Sequence, residues 1–150
     1  MELVGLLNTA LGALIALGAS TLVERRRWLQ ESRQRARDDR RAVYLGFLEA
    51  TAAASETLVS IARGHDADDT ACARAGTVLR DSSVLSRRLE LSLIGDDAIV
   101  EEAGRMVVLL RAYRDVVVQG LTFDTEEVQR TRAAVHQQRD RLTRLMRETL

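Results

Sequence analysis

The densest set of chemistry-bearing side chains in the sequence is His65-Asp66-Ala67-Asp68-Asp69, with Cys72 just beyond. Imidazole, carboxylate and thiol are the ligand types that hold zinc or calcium. The spacing argues against both. A calcium loop begun at Asp66 needs glycine at its sixth position and glutamate at its twelfth, where this chain has Ala71 and Thr77. A di-iron helical bundle needs paired Glu-x-x-His motifs, yet the residues three before His65 and His136 are Ala62 and Ala133. Acids ahead of a helix complement its dipole, so the segment reads as a capped turn between helices. Cys72 falls on an apolar face and reads as an inert core thiol. Asp96, Asp97, Glu101 and Glu102 sit in the first turns of a helix, and the same dipole argument gives them a structural role. Glycine-rich phosphate loops and Gly-x-Ser-x-Gly elbows are missing from the sequence. The reading is therefore of a protein that is not an enzyme, with no catalytic residues, no metal and no cofactor.

The elements around these residues are helical. Proline is absent from the 150 residues, so chain breaks fall to glycine and polar clusters: Gly64-His65-Asp66, Gly95-Asp96-Asp97, and Gly120 through Asp124. Glycine closing one periodic segment and Asp or Thr opening the next is the C-cap to N-cap sequence of neighbouring helices. Helices are expected over about 42–63, 70–94, 97–119 and 125–149. Apolar spacing assigns their inner faces. The first uses Ala36, Val43, Phe47, Ala50, Ala54, Leu58 and Ile61. The second uses Cys72, Ala75, Leu79, Leu89 and Leu93, flanked by Val78 and Leu85. Ile99, Ala103, Met106, Leu110, Tyr113 and Val117 form the clearest stripe. The last is sparse: Val128, Val135, Leu142, Leu145 and Met146 share a face with Thr131 and Gln138. Short connections imply antiparallel neighbours. The expected fold is all-α, an antiparallel four-helix bundle over 42–150, with a self-paired coiled coil through residues 36–61 as the competitor.

Ahead of the bundle lies a different kind of sequence. Residues 3–23 carry no charge, and Glu24 and Arg25-Arg26-Arg27 follow at once. As a helix rising about 1.5 Å per residue, such a run reaches about 31 Å, the thickness of a bilayer's hydrocarbon core. A cleaved signal peptide wants positive charge ahead of its apolar core, and this N-terminus offers only Glu2. Residues 1–23 are thus expected to be an uncleaved transmembrane anchor. Residues 24–41, an Arg-rich helical stalk, hold eight Arg against four acids. The positive-inside rule then places the N-terminus outside and the remaining chain in the cytoplasm, a single-pass protein of the cytoplasmic membrane. The one cysteine cannot form an internal disulfide, which agrees.

Four residues are assigned to the membrane interface: Arg25, Arg26 and Arg27, and Trp28 at the depth where indole rings anchor. Within the span, Gly5, Thr9, Gly12, Ala16 and Ala19 follow one another in steps of four and three. A stripe of small residues lets two helices pack closely in lipid, so a homo-oligomer is a candidate. The sparse last helix of the bundle is the second candidate surface for a copy. Basic residues number 22, all of them arginine, but they balance 22 acids. With no nucleic-acid-binding motif beside them, a nucleic-acid partner is not expected.

Three pieces of sequence carry a resemblance: Arg40-Arg41-Ala42-Val43-Tyr44-Leu45-Gly46-Phe47-Leu48, Glu90-Leu91-Ser92-Leu93-Ile94-Gly95-Asp96-Asp97, and Val100-Glu101-Glu102-Ala103. With the N-terminal span and the Arg-rich stretch, the layout resembles a group of uncharacterised small single-span membrane proteins of actinobacteria. The resemblance implies an actinobacterial membrane protein with a helical cytoplasmic domain, and it brings no activity or binding residues. Two functions are then open. One is a non-enzymatic, membrane-anchored interaction or scaffold module with the bilayer and an unknown protein as partners. The other is a small oligomerising effector, toxin-like or holin-like, that permeabilises the bilayer. Only Asn8, Thr9, Ser20 and Thr21 are polar in the span, all near its ends, which favours the scaffold.

Overall fold

The computed structural model describes the backbone of residues 2–64 and 70–150, and the side chains of residues 27, 28, 30–64 and 70–150. The described residues form five helices: α1 (Glu2–Ala62), α2 (Ala71–Asp81), α3 (Val84–Ile94), α4 (Asp97–Val118) and α5 (Glu126–Glu148). No strand occurs among the described residues. The chain divides into two compact units, Met1–Asp39 and Arg40–Leu150.

The described side chains of the first unit are those of a solvated helix. Arg27 Nε donates to Glu31 Oε1 at 3.1 Å, and an Arg35 nitrogen lies 3.8 Å from the same carboxylate. Such i,i+4 pairs contribute about 0.2–0.5 kcal/mol each. The side chains of the expected anchor, residues 1–23, lie outside the described residues. Among the described residues, no helix is long and apolar enough to cross a membrane.

The second unit is a bundle of four segments running alternately up and down. Its directions are fixed by contacts at its two ends. The Phe123 N–H donates to the Ala62 carbonyl at 2.9 Å, where α1 stops and the approach to α5 begins. At the other end Arg40 Nη1 donates to the Thr149 carbonyl at 3.4 Å, and the Tyr44 and Thr149 hydroxyls are 3.4 Å apart. α1 and α5 are therefore antiparallel. The core is one cluster fed by every segment, with Phe47, Leu58, Leu91, Met106, Leu110 and Leu142 all shut off from solvent. Burying a side chain of this size contributes about 1.5–3 kcal/mol. Ala50, Thr51, Ala54 and Ser55 are buried too, small residues that let the neighbours of α1 approach closely.

Helix ends follow backbone chemistry. Gly64 (φ +73°) and Gly120 (φ +79°) are left-handed, and their N–H groups close the last turns onto Ile61 and Val117. Gly95 is needed for space instead, because a Cβ there would lie 2.8 Å from the Leu91 carbonyl oxygen. Asp96 and Thr125 hold the N-cap positions of α4 and α5 with extended backbone, yet neither side chain makes a capping bond. The Thr125 hydroxyl donates back to the Thr122 carbonyl at 2.8 Å.

The segment expected as one helix over 70–94 is two, and this corrects its inner face. Ser83 is left-handed (φ 59°, ψ 18°), with α2 ending before it and α3 starting after it. Asp and Ser compete with helical bonding through their own side chains, so Asp81-Ser82-Ser83 is a weak point in any helix. The break resets the helical phase. α2 keeps Ala75, Val78 and Leu79 buried, and α3 buries Val84 and Leu91. Leu85, Leu89 and Leu93, expected inside, face solvent. Cys72 is exposed, not a core thiol, because it sits in the first turn of α2 outside the buried stripe.

Candidate functional site

Of the interface residues, Arg25 and Arg26 have side chains outside the described set, as do Gly5, Thr9, Gly12, Ala16 and Ala19. Arg27 is exposed in its pair with Glu31, and Trp28 is 65 % exposed. Residues His65 to Asp69 also lie outside the described residues. Among those described, no group of three or more His, Cys, Asp or Glu side chains is placed to hold a metal.

The bundle does assemble three features the sequence did not announce. The first is a polar clamp between α4 and α5. Glu102, one of the supposed dipole acids, is 5 % exposed. Arg105 and Arg141 each bring a guanidinium nitrogen to 2.8 Å from Glu102 Oε1. Gln138 Nε2 donates to Glu102 Oε2 at 2.7 Å and to the Glu102 backbone carbonyl at 3.0 Å, which uses both amide hydrogens. The arginines keep about half of their surface in water, so the carboxylate carries most of the desolvation cost, and three contacts with it offset that cost. Both carboxylate oxygens are thus engaged by groups of the chain itself. The effect of the clamp is to fix which turn of α5 meets which turn of α4. The sparse face of α5, named as a second candidate surface for a copy, is turned into the core instead: Val128, Val135, Gln138, Leu142 and Met146 are all buried.

At the end of the bundle where α1 stops, two cations share one ring. The Arg63 guanidinium stands 4.3 Å from the Phe123 centroid and that of Arg132 stands 5.4 Å from it. Nearby, the Tyr113 hydroxyl is buried without a hydrogen-bond partner among the described residues. Burial pushes its pKa above the usual phenol value, and the two guanidinium groups pull back against that. Tyr113 is thus a neutral phenol throughout the physiological range. On α5, an Arg139 nitrogen lies 3.0 Å from His136 Nδ1. A guanidinium can only donate, so Nδ1 accepts and the neutral ring carries its proton on Nε2. Burial holds the His136 pKa below the ordinary value, with Arg139 and then Arg132 adding to the effect and Asp140 opposing it.

The third feature is a ridge. Leu85, Leu89 and Leu93 are 43 %, 65 % and 78 % exposed along the outer face of α3. Spaced by four, they form one stripe. Beside them Arg88 reaches across to α4, its Nη2 lying 3.5 Å from where a Gly104 Cβ would sit. One turn further along α4, Val108 is 62 % exposed. Two shallow grooves meet at Arg88: one of about 400 Å³ bounded by Leu85, Leu89 and Val100, and one of about 550 Å³ bounded by Gly104, Val108 and Arg111. An apolar stripe with concave flanks is suited to receiving another apolar surface and has no reactive group aimed into it.

Comparison with protein-family models, with curated proteins and with solved structures found no match. A signal for the ridge existed in the sequence, in the Asp81-Ser82-Ser83 breaker and the i,i+4 leucines after it. The clamp had no comparable local signal, because Glu102 and Gln138 are 36 residues apart.

Proposed function

We propose that the chain is a non-enzymatic helical interaction module, held at the cytoplasmic membrane by residues 1–23, whose bundle presents a docking face to a protein partner. The observation that carries this reading is the solvent-facing stripe of Leu85, Leu89 and Leu93, three exposed leucines in one row along α3. The charge-free run ending at Arg25-Arg26-Arg27 supports the anchor and the orientation, N-terminus outside and C-terminus inside. The resemblance to actinobacterial single-span proteins points the same way. The small-residue stripe Gly5, Thr9, Gly12, Ala16 and Ala19 adds a route to self-association within the bilayer.

The test is a paired measurement. Reporters fused after Leu150 should be active when they require the cytoplasm and silent when they require export, and the protein should stay with membranes after a carbonate wash. A chain that is exported, or shortened from its N-terminus, overturns the anchor. A dye reporting membrane potential, followed during expression, should show no collapse; rapid collapse would select the permeabilising effector instead.

A further inference from the structure

The ridge on α3 and its two grooves have a sign as well as a shape. Within this face, Arg87 is paired with Glu90 at 2.8 Å, and Arg105 is paired with both Glu101 and Glu102. The acids of the face are therefore already committed. Arg88 and Arg111 have no carboxylate partner among the described residues, and both are exposed. What is left over is an apolar stripe with two free guanidinium groups at its edge.

We infer that this face docks an acidic amphipathic helix of another protein, with its apolar ridge laid along Leu85, Leu89 and Leu93 and its carboxylates against Arg88 and Arg111. The inference rests on reading the bundle as an interaction module and adds the chemistry of its partner. Leucines spaced by four, with Gly104 flooring the neighbouring groove, offer the holes into which the ridge of a facing helix packs. Arginine prefers carboxylates that it can meet side-on through its planar fork. Two other occupants fit less well. A second copy paired about a two-fold axis through Leu89 brings like flanks of the antiparallel helices together, so Arg88 would face its own counterpart without a carboxylate. A bilayer is met by a convex apolar surface, whereas this one is grooved on both sides of Arg88.

The experiment uses the full chain in neutral detergent and two labelled synthetic peptides. Both are amphipathic helices with the same leucine face, one flanked by glutamate and the other by lysine. Fluorescence anisotropy should show the glutamate peptide binding about ten-fold more tightly, which is what two partly exposed ion pairs supply. The Arg88→Glu/Arg111→Glu double variant should reverse the preference, and Leu89→Ser should weaken both peptides. These positions are exposed, and an unchanged melting curve checks that the bundle is intact in each variant. Equal binding of the two peptides by the parent, or a preference that survives the double charge reversal, overturns the inference. A parent dimer that Leu89→Ser converts to monomer in sedimentation overturns it in favour of a second copy. Maleimide labelling of Leu89→Cys, in a Cys72→Ser background, should be slowed by the glutamate peptide. Protection by anionic nanodiscs, with no peptide preference, overturns the inference in favour of a bilayer. Membrane retention is scored separately: its loss removes the anchor and leaves the peptide result standing, while loss of peptide preference in a retained chain removes only the docking partner.

Discussion

The α4–α5 pair, two long antiparallel helices, and the shorter broken α2–α3 segment are held in different ways. α4 runs unbroken from Asp97 to Val118 with a continuous buried stripe, and α5 locks onto it through Glu102 and Gln138. The α2–α3 segment is broken at Ser83, and no polar clamp like that of Glu102 joins it to its neighbours among the described contacts. Only two residues of α3, Val84 and Leu91, are fully buried. The difference teaches that an apolar period is a statement about a face only while the helix stays in phase. One left-handed residue turned three leucines from core into surface.

The largest expected effect separates the two regions directly. Leu110→Ala, in the shut-off stripe of α4, should destabilise the full chain by about 2–5 kcal/mol. Leu89→Ala, on the solvent side of α3, should stay within about half a kcal/mol of the parent. Denaturant unfolding followed by circular dichroism in detergent reads both; equal losses would erase the distinction.

Next in size is the clamp. Glu102→Ala leaves Gln138 with the backbone carbonyl alone and removes the carboxylate that Arg105 and Arg141 share. A loss of about 1–3 kcal/mol is expected, the range for a buried polar partnership broken on one side. Because the arginines retain water, the charge-neutral Glu102→Gln should recover part of it, and a variant with no measurable change would show that packing alone sets the α4–α5 register.

The phase-setting residue offers a smaller, signed effect. Ser83→Gly relieves a left-handed side-chain penalty and should raise stability by up to about 1 kcal/mol. Ser83→Val should lower it, since a β-branched residue tolerates that backbone worst. The break would be misplaced if valine proved the more stable of the two.

The smallest effect is a pH dependence. The folded pKa of His136 lies below its unfolded value, so unfolded chains bind the proton more readily. Stability is then full above the ordinary histidine value of about 6.5 and declines as the pH falls below it, until the folded ring also protonates. Comparing unfolding of the parent with His136→Gln across that window isolates the contribution, because the glutamine variant lacks this step. Parallel curves for the two would remove the assigned cause, a guanidinium donating to Nδ1 in a partly buried place.

What the sequence by itself determined was local. Glycines at 64, 95 and 120 marked helix ends, because a left-handed or crowded backbone needs a residue without a side chain. Steps of four and three over Ile99 to Val117 marked the inner face of α4, because a helix repeats every 3.6 residues and only one side can be dry. Tertiary structure alone decided the rest. Glu102 looks like any acid in an opening turn until Gln138, Arg105 and Arg141 arrive beside it, and burial then turns a dipole partner into a buried junction. Gln138 on a sparse stripe looks like a weak point until its amide finds two acceptors. Leu85, Leu89 and Leu93 look like core until Ser83 rotates them away. Propensity and period act within one helix; partners for buried charge and the phase across a break depend on which neighbours the folded chain brings within a few ångströms.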